Sequence, residues 1–485
     1  MSTKSIFEMT TQEEASNEFK PAPSKLETNF GTLEFTGGGF PTPETTQKLF
    51  DELDLQRANQ AYLEFYPALS LMAMLKGQVQ NYGVRSCSDL LVFGDKMNSA
   101  PLWLTGNTDS VYALLTIDLK ADGPVVIEVP PGVMGPADDA YFKFIVDFGA
   151  TGPDKGQGGK YLFLPPNYEG DVPDGYFIVK SPSYRIWPMM RANAALVGMG
   201  EKAMAFYQEH LKAYPLATGP RNGKYTNASG MAGNQLAPED LSAFEMLNDI
   251  VQHEPAALFN KEQLGRLAAL GIEKGKPFAP DARMQRILDQ GAKQGVAMAR
   301  AIAFANRDPE VKVYPDREWE TLFIGGSSEF ERNGYRNLDA RTLFHFTAVV
   351  ITPAMAFRME GKGSQYLAGY RDGNGAYLDG SKTYKLHLPP NVPAKDFWSV
   401  TLYDPATRSQ LQTDQPYPSV NSQKNPDANP DGSVDVYFGP TIPAGKENNW
   451  VQTVPGKGWF TLVRFYGPLK PYFEKTWKLD DIVEI

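Results

Sequence analysis

Two strand-rich blocks, one toward each end of the chain, carry the same features in the same order. Residues 125–151, VVIEVPPGVMGPADDAYFKFIVDFGAT, and residues 384–407, YKLHLPPNVPAKDFWSVTLYDPAT, each read as a strand, a Pro-Pro pair, a polar loop, an aromatic strand and an Ala-Thr turn. The order continues: KYLFLPP (160–166) faces VDVYFGP (434–440), and GYFIVKSP (175–182) faces GWFTLVRFYGP (458–468). Four ordered matches predict a duplicated, sandwich-like β unit. The alternative is shared strand and turn grammar in two unrelated β domains.

Between the blocks the apolar spacing becomes helical. EKAMAFYQEHLKAY, PEDLSAFEMLNDIVQHE, NKEQLGRLAALGI and DARMQRILDQGAKQGVAMARAIAFA repeat apolar side chains three and four apart, so residues 201–306 are expected to be almost entirely helix and loop. A further helical stretch is read over 339–359, interrupted by Pro353. Near the N-terminus, residues 43–76 predict one or two helices capped by Thr42, kinked near Pro67 and stopped by Gly77. A chain of 485 residues exceeds what one core supports. The expected division is a mobile tail (1–28), an N-terminal helix plus β-sandwich (29–200), a helical middle domain (201–360) and a C-terminal β-sandwich (361–485). The fold class is mainly β with an α-helical middle.

The formal charge of -10 and the lack of a basic cluster exclude a general nucleic-acid binder. Cys87 is the single cysteine, which rules out an intramolecular disulfide and reads as a small packed hydrophobe. No basic start followed by an apolar run opens the sequence, and no segment approaches a membrane span. A cytoplasmic protein is expected, or a periplasmic one if a leader precedes this sequence; no membrane partner is expected, and self-association into a homo-oligomer is left open.

NTDSVYALLTIDLKADGPVVIEVPP (107–131) resembles the signature of domain-of-unknown-function family 1254 (DUF1254), with Ser110 where that family commonly has Thr. FWSVTLYDPATRSQL, NPDGSVDVYFGP, ENNWVQTVPGKGWFTLVRFYGP and TWKLDDIVEI resemble its usual partner, family 1214 (DUF1214), and GIEKGKPFAPDAR (271–283) resembles the region joining the two. The resemblance implies two jelly-roll-like antiparallel β-sandwiches around a helical domain, similar in fold to those of peptide:N-glycosidases and copper monooxygenases. It implies no catalytic set.

Chemistry must therefore be sought in the residues themselves. The four histidines, His210, His253, His345 and His387, have no ligand spacing for zinc or copper. A hard cation such as calcium could take oxygens from Asp372, Asn374 and Asp379 in DGNGAYLDG, although Ala376 falls where a loop of EF-hand type needs a ligand, and two tight turns explain the segment as well. No other cofactor is expected. GPDKGQGGK (152–160) has no helix after it and reads as a flexible loop, and no G-x-S-x-G elbow occurs.

The densest polar and aromatic set is Asn107, Asp109, Tyr112 and Asp118, with Asp147, Arg185, Trp187 and Arg191 further on. Carboxylates near Arg, Tyr and Trp suit a pocket for a small polar molecule or carbohydrate. Asp109 is the candidate acid or base, and Asn107, Tyr112, Asp147, Arg185, Trp187 and Arg191 are the candidate substrate contacts. Turn chemistry and bracing ion pairs account for the same residues without a ligand. In the C-terminal block Asp404, Arg408 and Arg464 stand out among aromatic anchors. Three functions fit: a hydrolase of a glycoconjugate or other small polar compound, a non-catalytic binder of a carbohydrate or amphiphile, and an interaction scaffold.

Overall fold

The computed structural model describes residues 23–37 and 39–485. Of the expected tail, residues 1–22 lie outside the described residues, while Lys25–Thr28 is a strand paired antiparallel with Gly31–Thr36. Helix accounts for 30% of the protein and strand for 27%, in several sheets of which none closes, so the fold is mixed α and β rather than mainly β.

Much of the helix comes from α1 (Pro43–Tyr82), which runs unbroken for 40 residues. The Thr42 side chain caps it by accepting from the Thr45 amide, and Pro43 fits its first turn. Neither Pro67 nor Gly77 ends it. Gly77 is there for proximity: a Cβ would stand 2.5 Å from Gln235 Cγ and 2.8 Å from the Asn234 carbonyl oxygen. The stop is Gly83, which adopts the left-handed φ of 71°. Around α1 pack α2 (Ser242–His253), α3 (Lys261–Ala268), α4 (Ala282–Phe304) and α5 (Leu338–Thr347), sharing a core that includes Tyr62, Phe65, Leu247, Leu267, Leu288 and Phe346. The helix thus packs into the helical layer, while its later turns, with Leu71, Met74, Leu75 and Tyr82, pack against Leu91, Phe93 and Trp103 of the first β unit. Among the described residues no helix is long and apolar enough to cross a membrane.

The first β unit contains β1 (Leu90–Phe93), β2 (Val111–Leu114), β3 (Val125–Val129), β4 (Gly135–Asp139), β5 (Phe144–Phe148), β6 (Gly159–Leu164), β7 (Phe177–Lys180), β8 (Arg185–Ala192), β9 (Lys212–Pro215) and β10 (Tyr225–Asn227), with a two-residue strand, Ile117–Asp118, paired to β8. One sheet runs β5-β4-β8-β2-β1-β10 and the other β7-β6-β3-β9. Their facing side chains, among them Val111, Ile127, Phe148, Tyr161, Ile186 and Met190, form one core. Within 201–306, expected to be almost entirely helix and loop, short strands at 212–215 and 225–227 are the exception, because here the chain returns to finish the first unit's sheets.

The C-terminal unit contains β11 (Ser364–Gly369), β12 (Tyr384–Leu388), β13 (Ala394–Tyr403), β14 (Ser419–Asn421), β15 (Val434–Gly439), β16 (Trp450–Gln452), β17 (Phe460–Pro468) and β18 (Val483–Glu484). Its sheets run β14-β13-β17-β11 and β16-β15-β12-β18. Taken in chain order, β2 to β9 and β11 to β18 occupy the same places. Two of the four sequence matches move by one strand: β13 corresponds to β4, and β17 to β8. Nor are the sheets wholly antiparallel, since β6–β7 and β15–β16 pair in parallel. The loops at 165–176 and 440–449 are long enough to carry the chain back for parallel entry, which a tight hairpin cannot do.

Candidate functional site

Each β unit presents an arginine and a tyrosine side by side. Arg191 on β8 lies directly across from Tyr112 on β2, and Arg464 on β17 lies directly across from Tyr366 on β11. Residues opposite one another in a ladder project from the same sheet face. All four line one cavity of about 380 Å³ at the junction of the two units, closed on a third side by Phe344 and the segment from Ala348 to Met355. In strand order, β2 and β8 hold the places that β11 and β17 hold in the second unit.

The rest of the wall is mostly apolar, with Trp103, Leu104, Met189, Phe323, Val349 and Leu462 contributing. Arg464 is 3% exposed, and its guanidinium donates to the Tyr403 hydroxyl at 2.5 Å and to the Thr105 carbonyl at 2.6 Å. Arg191 donates to Ser364 Oγ at 3.2 Å and lies over the Tyr466 ring. One hydrogen bond of each guanidinium crosses between units, Arg191 reaching Ser364 of β11 and Arg464 the Thr105 carbonyl before β2. Among the described residues neither guanidinium has a carboxylate within 4.0 Å. A buried cation with only neutral partners is costly, and the cost falls when an anion binds.

Asp147 lines the same cavity, with its carboxylate accepting from Thr352 Oγ1 at 2.9 Å. Burial raises its pKa above the ordinary aspartate value, opposed by the Thr352 hydroxyl. Exposed Lys362, Lys395 and Asp396 also border the cavity. Two of its wall residues hold left-handed backbone conformations that β-branched side chains disfavour, Thr105 at φ 41° and Val350 at φ 53°. Both are fastened: the Thr105 amide donates to the Arg408 carbonyl at 2.7 Å, and the Ile351 amide next to Val350 donates to buried Asp138 at 3.0 Å. Strain held by surrounding contacts is a feature of binding sites.

Of the residues singled out from sequence, Asn107, Tyr112, Asp147 and Arg191 line the cavity. Asn107 Nδ2 donates to the Tyr112 hydroxyl at 2.5 Å, and its Oδ1 takes the amides of Asp109 and Ser110. Asp109 does not line the cavity. Its carboxylate accepts from Asn421 Nδ2 at 2.8 Å, from Tyr466 at 3.1 Å and from Thr108 at 3.2 Å, tying the two units together. Trp187 is fully buried against Trp103 and Phe142, and Arg185 faces buried Glu254 at 4.0 Å; both are away from the cavity wall. Asp118 pairs with His253 at 2.9 Å.

In the proposed cation loop, Asp372 Oδ1 is taken by the amides of Asn374 and Ala376 and Asp379 Oδ1 by that of Ser381, so each carboxylate closes its own turn. Among the described residues no three His, Cys, Asp or Glu groups cluster as metal ligands. Cys87 is buried, which pushes its thiol up to about 11. Arg408 is also fully buried, donating to the Phe346 carbonyl and the Tyr66 hydroxyl, and so links the C-terminal unit to the helices. Sequence reasoning missed Tyr366 and Thr352 and left Arg464 unassigned. The available signal was an arginine set among apolar residues of a strand, Arg191 in RIWPMMRA and Arg464 in FTLVRFYGP.

Comparison with known proteins finds two families here, each described as a protein of unknown function: DUF1254 over residues 93–215 and DUF1214 over residues 363–470. The first range holds Tyr112 and Arg191, the second Tyr366 and Arg464. No curated protein matches the chain. Among solved structures, the VPA0106 protein from Vibrio parahaemolyticus is similar with a TM-score of 0.53 at 19% identity, covering 89% of this chain and 100% of its own. An uncharacterized protein from Burkholderia cenocepacia matches with a TM-score of 0.39 at 13% identity, over 91% of this chain and 97% of that one. The Vibrio likeness extends to the fold alone.

Proposed function

We propose, for this DUF1254 and DUF1214 domain-containing protein, that it binds a small molecule with an apolar body and an anionic end in the cavity between its two β units. The observation that carries this is the pair of cavity-lining guanidiniums, Arg191 and Arg464, each beside a tyrosine and neither with a carboxylate partner among the described residues. A volume of about 380 Å³ lies toward the small end of ligand pockets, which span roughly 300–1,000 Å³. The apolar wall suits an aryl or alkyl carboxylate better than a carbohydrate, whose hydroxyls would find few partners.

Thermal melts with a panel of such carboxylates and their matched primary amides test the reading. The carboxylates should raise the melting temperature saturably and the amides much less, with the difference lost in Arg191→Gln. Equal shifts for acid and amide would contradict it.

A hydrolytic reading is favoured by one observation, the buried Asp147 in the same cavity with its pKa raised by that burial. Asp147, rather than Asp109, would then be the proton donor to a leaving group. Asp147→Asn should abolish turnover of an ester or glycoside ligand and retain its binding; turnover that persists removes the role. The shared order of eight strands supports taking the two units as a duplicated, jelly-roll-like sandwich. Superposing β2–β9 on β11–β18 tests this, and strands that overlay only in part would argue for convergence.

A further inference from the structure

A second cavity, of about 490 Å³, opens in the helical layer and is lined from α1, α3, α4 and α5. Arg341 of α5 forms part of its wall. This side chain belongs to a residue only 8% exposed, yet it makes no hydrogen bond and no ion pair among the described residues, and its Nε is wholly buried without a partner. The carboxylates of the same cavity are already engaged, Glu64 by Arg266 and Asp339 by Arg307 at 3.2 Å. Arg341 is therefore the one cation of this cavity, among the described residues, that lacks a counter-ion. Buried guanidiniums are ordinarily paired or hydrogen-bonded, because five donors removed from water must be compensated. An unpaired one in a cavity wall is a receptor for an acceptor supplied from outside.

We propose that this cavity is a second anion site, in which Arg341 takes an oxyanion group of the kind shared by carboxylates and phosphates. Planar fork geometry suits arginine to both. The site stands on its own residues and is independent of the cavity between the β units.

Calorimetric titration of the full chain with inorganic phosphate and with acetate, at ionic strength fixed with chloride, tests it. At least one of the two anions should bind saturably, and which one binds tells a phosphoryl from a carboxylate source. Arg341→Met should weaken that binding by at least about tenfold, compared in an Arg191→Gln background so that the cavity between the β units does not contribute. Ala301→Glu, from an exposed position of α4 that borders the cavity, offers Arg341 an internal carboxylate. It should block the anion and raise the melting temperature, which keeps the test valid if Arg341→Met folds poorly. Failure of both anions to bind saturably, or binding unchanged in Arg341→Met or Ala301→Glu, would overturn the proposal.

Discussion

Asp109 accepts two of its three side-chain hydrogen bonds from the C-terminal unit, through Asn421 and Tyr466. Its work is to join domains, so Asp109→Asn should lower stability by about 1–3 kcal/mol, the usual cost of a spoiled buried hydrogen bond, and leave affinity for a cavity ligand nearly unchanged. Chemical denaturation alongside ligand titration separates the two effects. Asp139 makes a different prediction. Burial pushes its carboxyl up to about 6, against the amides of Lys143 and Tyr141 that lower it. An unfolded aspartate titrates near 4, so the folded state holds an extra proton between about pH 4 and 6. The stability this gives is fully present below that window and lost as pH rises through it. Asp139→Asn should therefore leave the melting temperature at pH 4 almost unchanged and raise it at pH 7.5, by at most roughly 3 kcal/mol of stability. At this scale the sequence marked which polar residues matter but not why: the same Asn-Thr-Asp run holds one cavity residue, Asn107, and one strut, Asp109.

Helices were the legible elements, since caps such as Asn260 and Asp281 and the apolar spacing of α4 act locally. Strand β4 was not legible, because GPADD has neither alternation nor β-branched residues and buries two aspartates. Missing it shifted the match between the two units by one strand. Glycines inside helices illustrate how neighbours decide an effect. In α4, a Cβ at Gly295 would stand 2.6 Å from Tyr62 Cδ1 and 2.9 Å from Tyr62 Cβ, whereas Gly265 in α3 has nothing within 4 Å. Alanine in place of helical glycine gains about 1 kcal/mol, and overpacking costs about 1–3 kcal/mol. Gly295→Ala should thus destabilise the α1–α4 contact despite its better propensity, and Gly265→Ala should stabilise. Melting temperatures that rise for both would show that propensity, not packing, governs these sites.

For the whole molecule, a likeness in strand order between the two β units was partly readable in the sequence, while the cavity was not. It depends on how the second unit meets the first, information spread over residues as distant as Arg191 and Ser364. The helical layer and the loop bearing Val350 complete a space that neither unit encloses alone. The central claim is that the Arg191 and Arg464 pairs act together on one anion. Calorimetric affinity for a single aryl or alkyl carboxylate, measured for the unaltered protein and for Arg191→Gln and Arg464→Gln separately, addresses it most directly. Charge-assisted hydrogen bonds are worth about 1.5–3 kcal/mol each, so each variant should bind at least about tenfold more weakly while its apo form still melts cooperatively. Affinity that is unchanged in either variant would contradict the account.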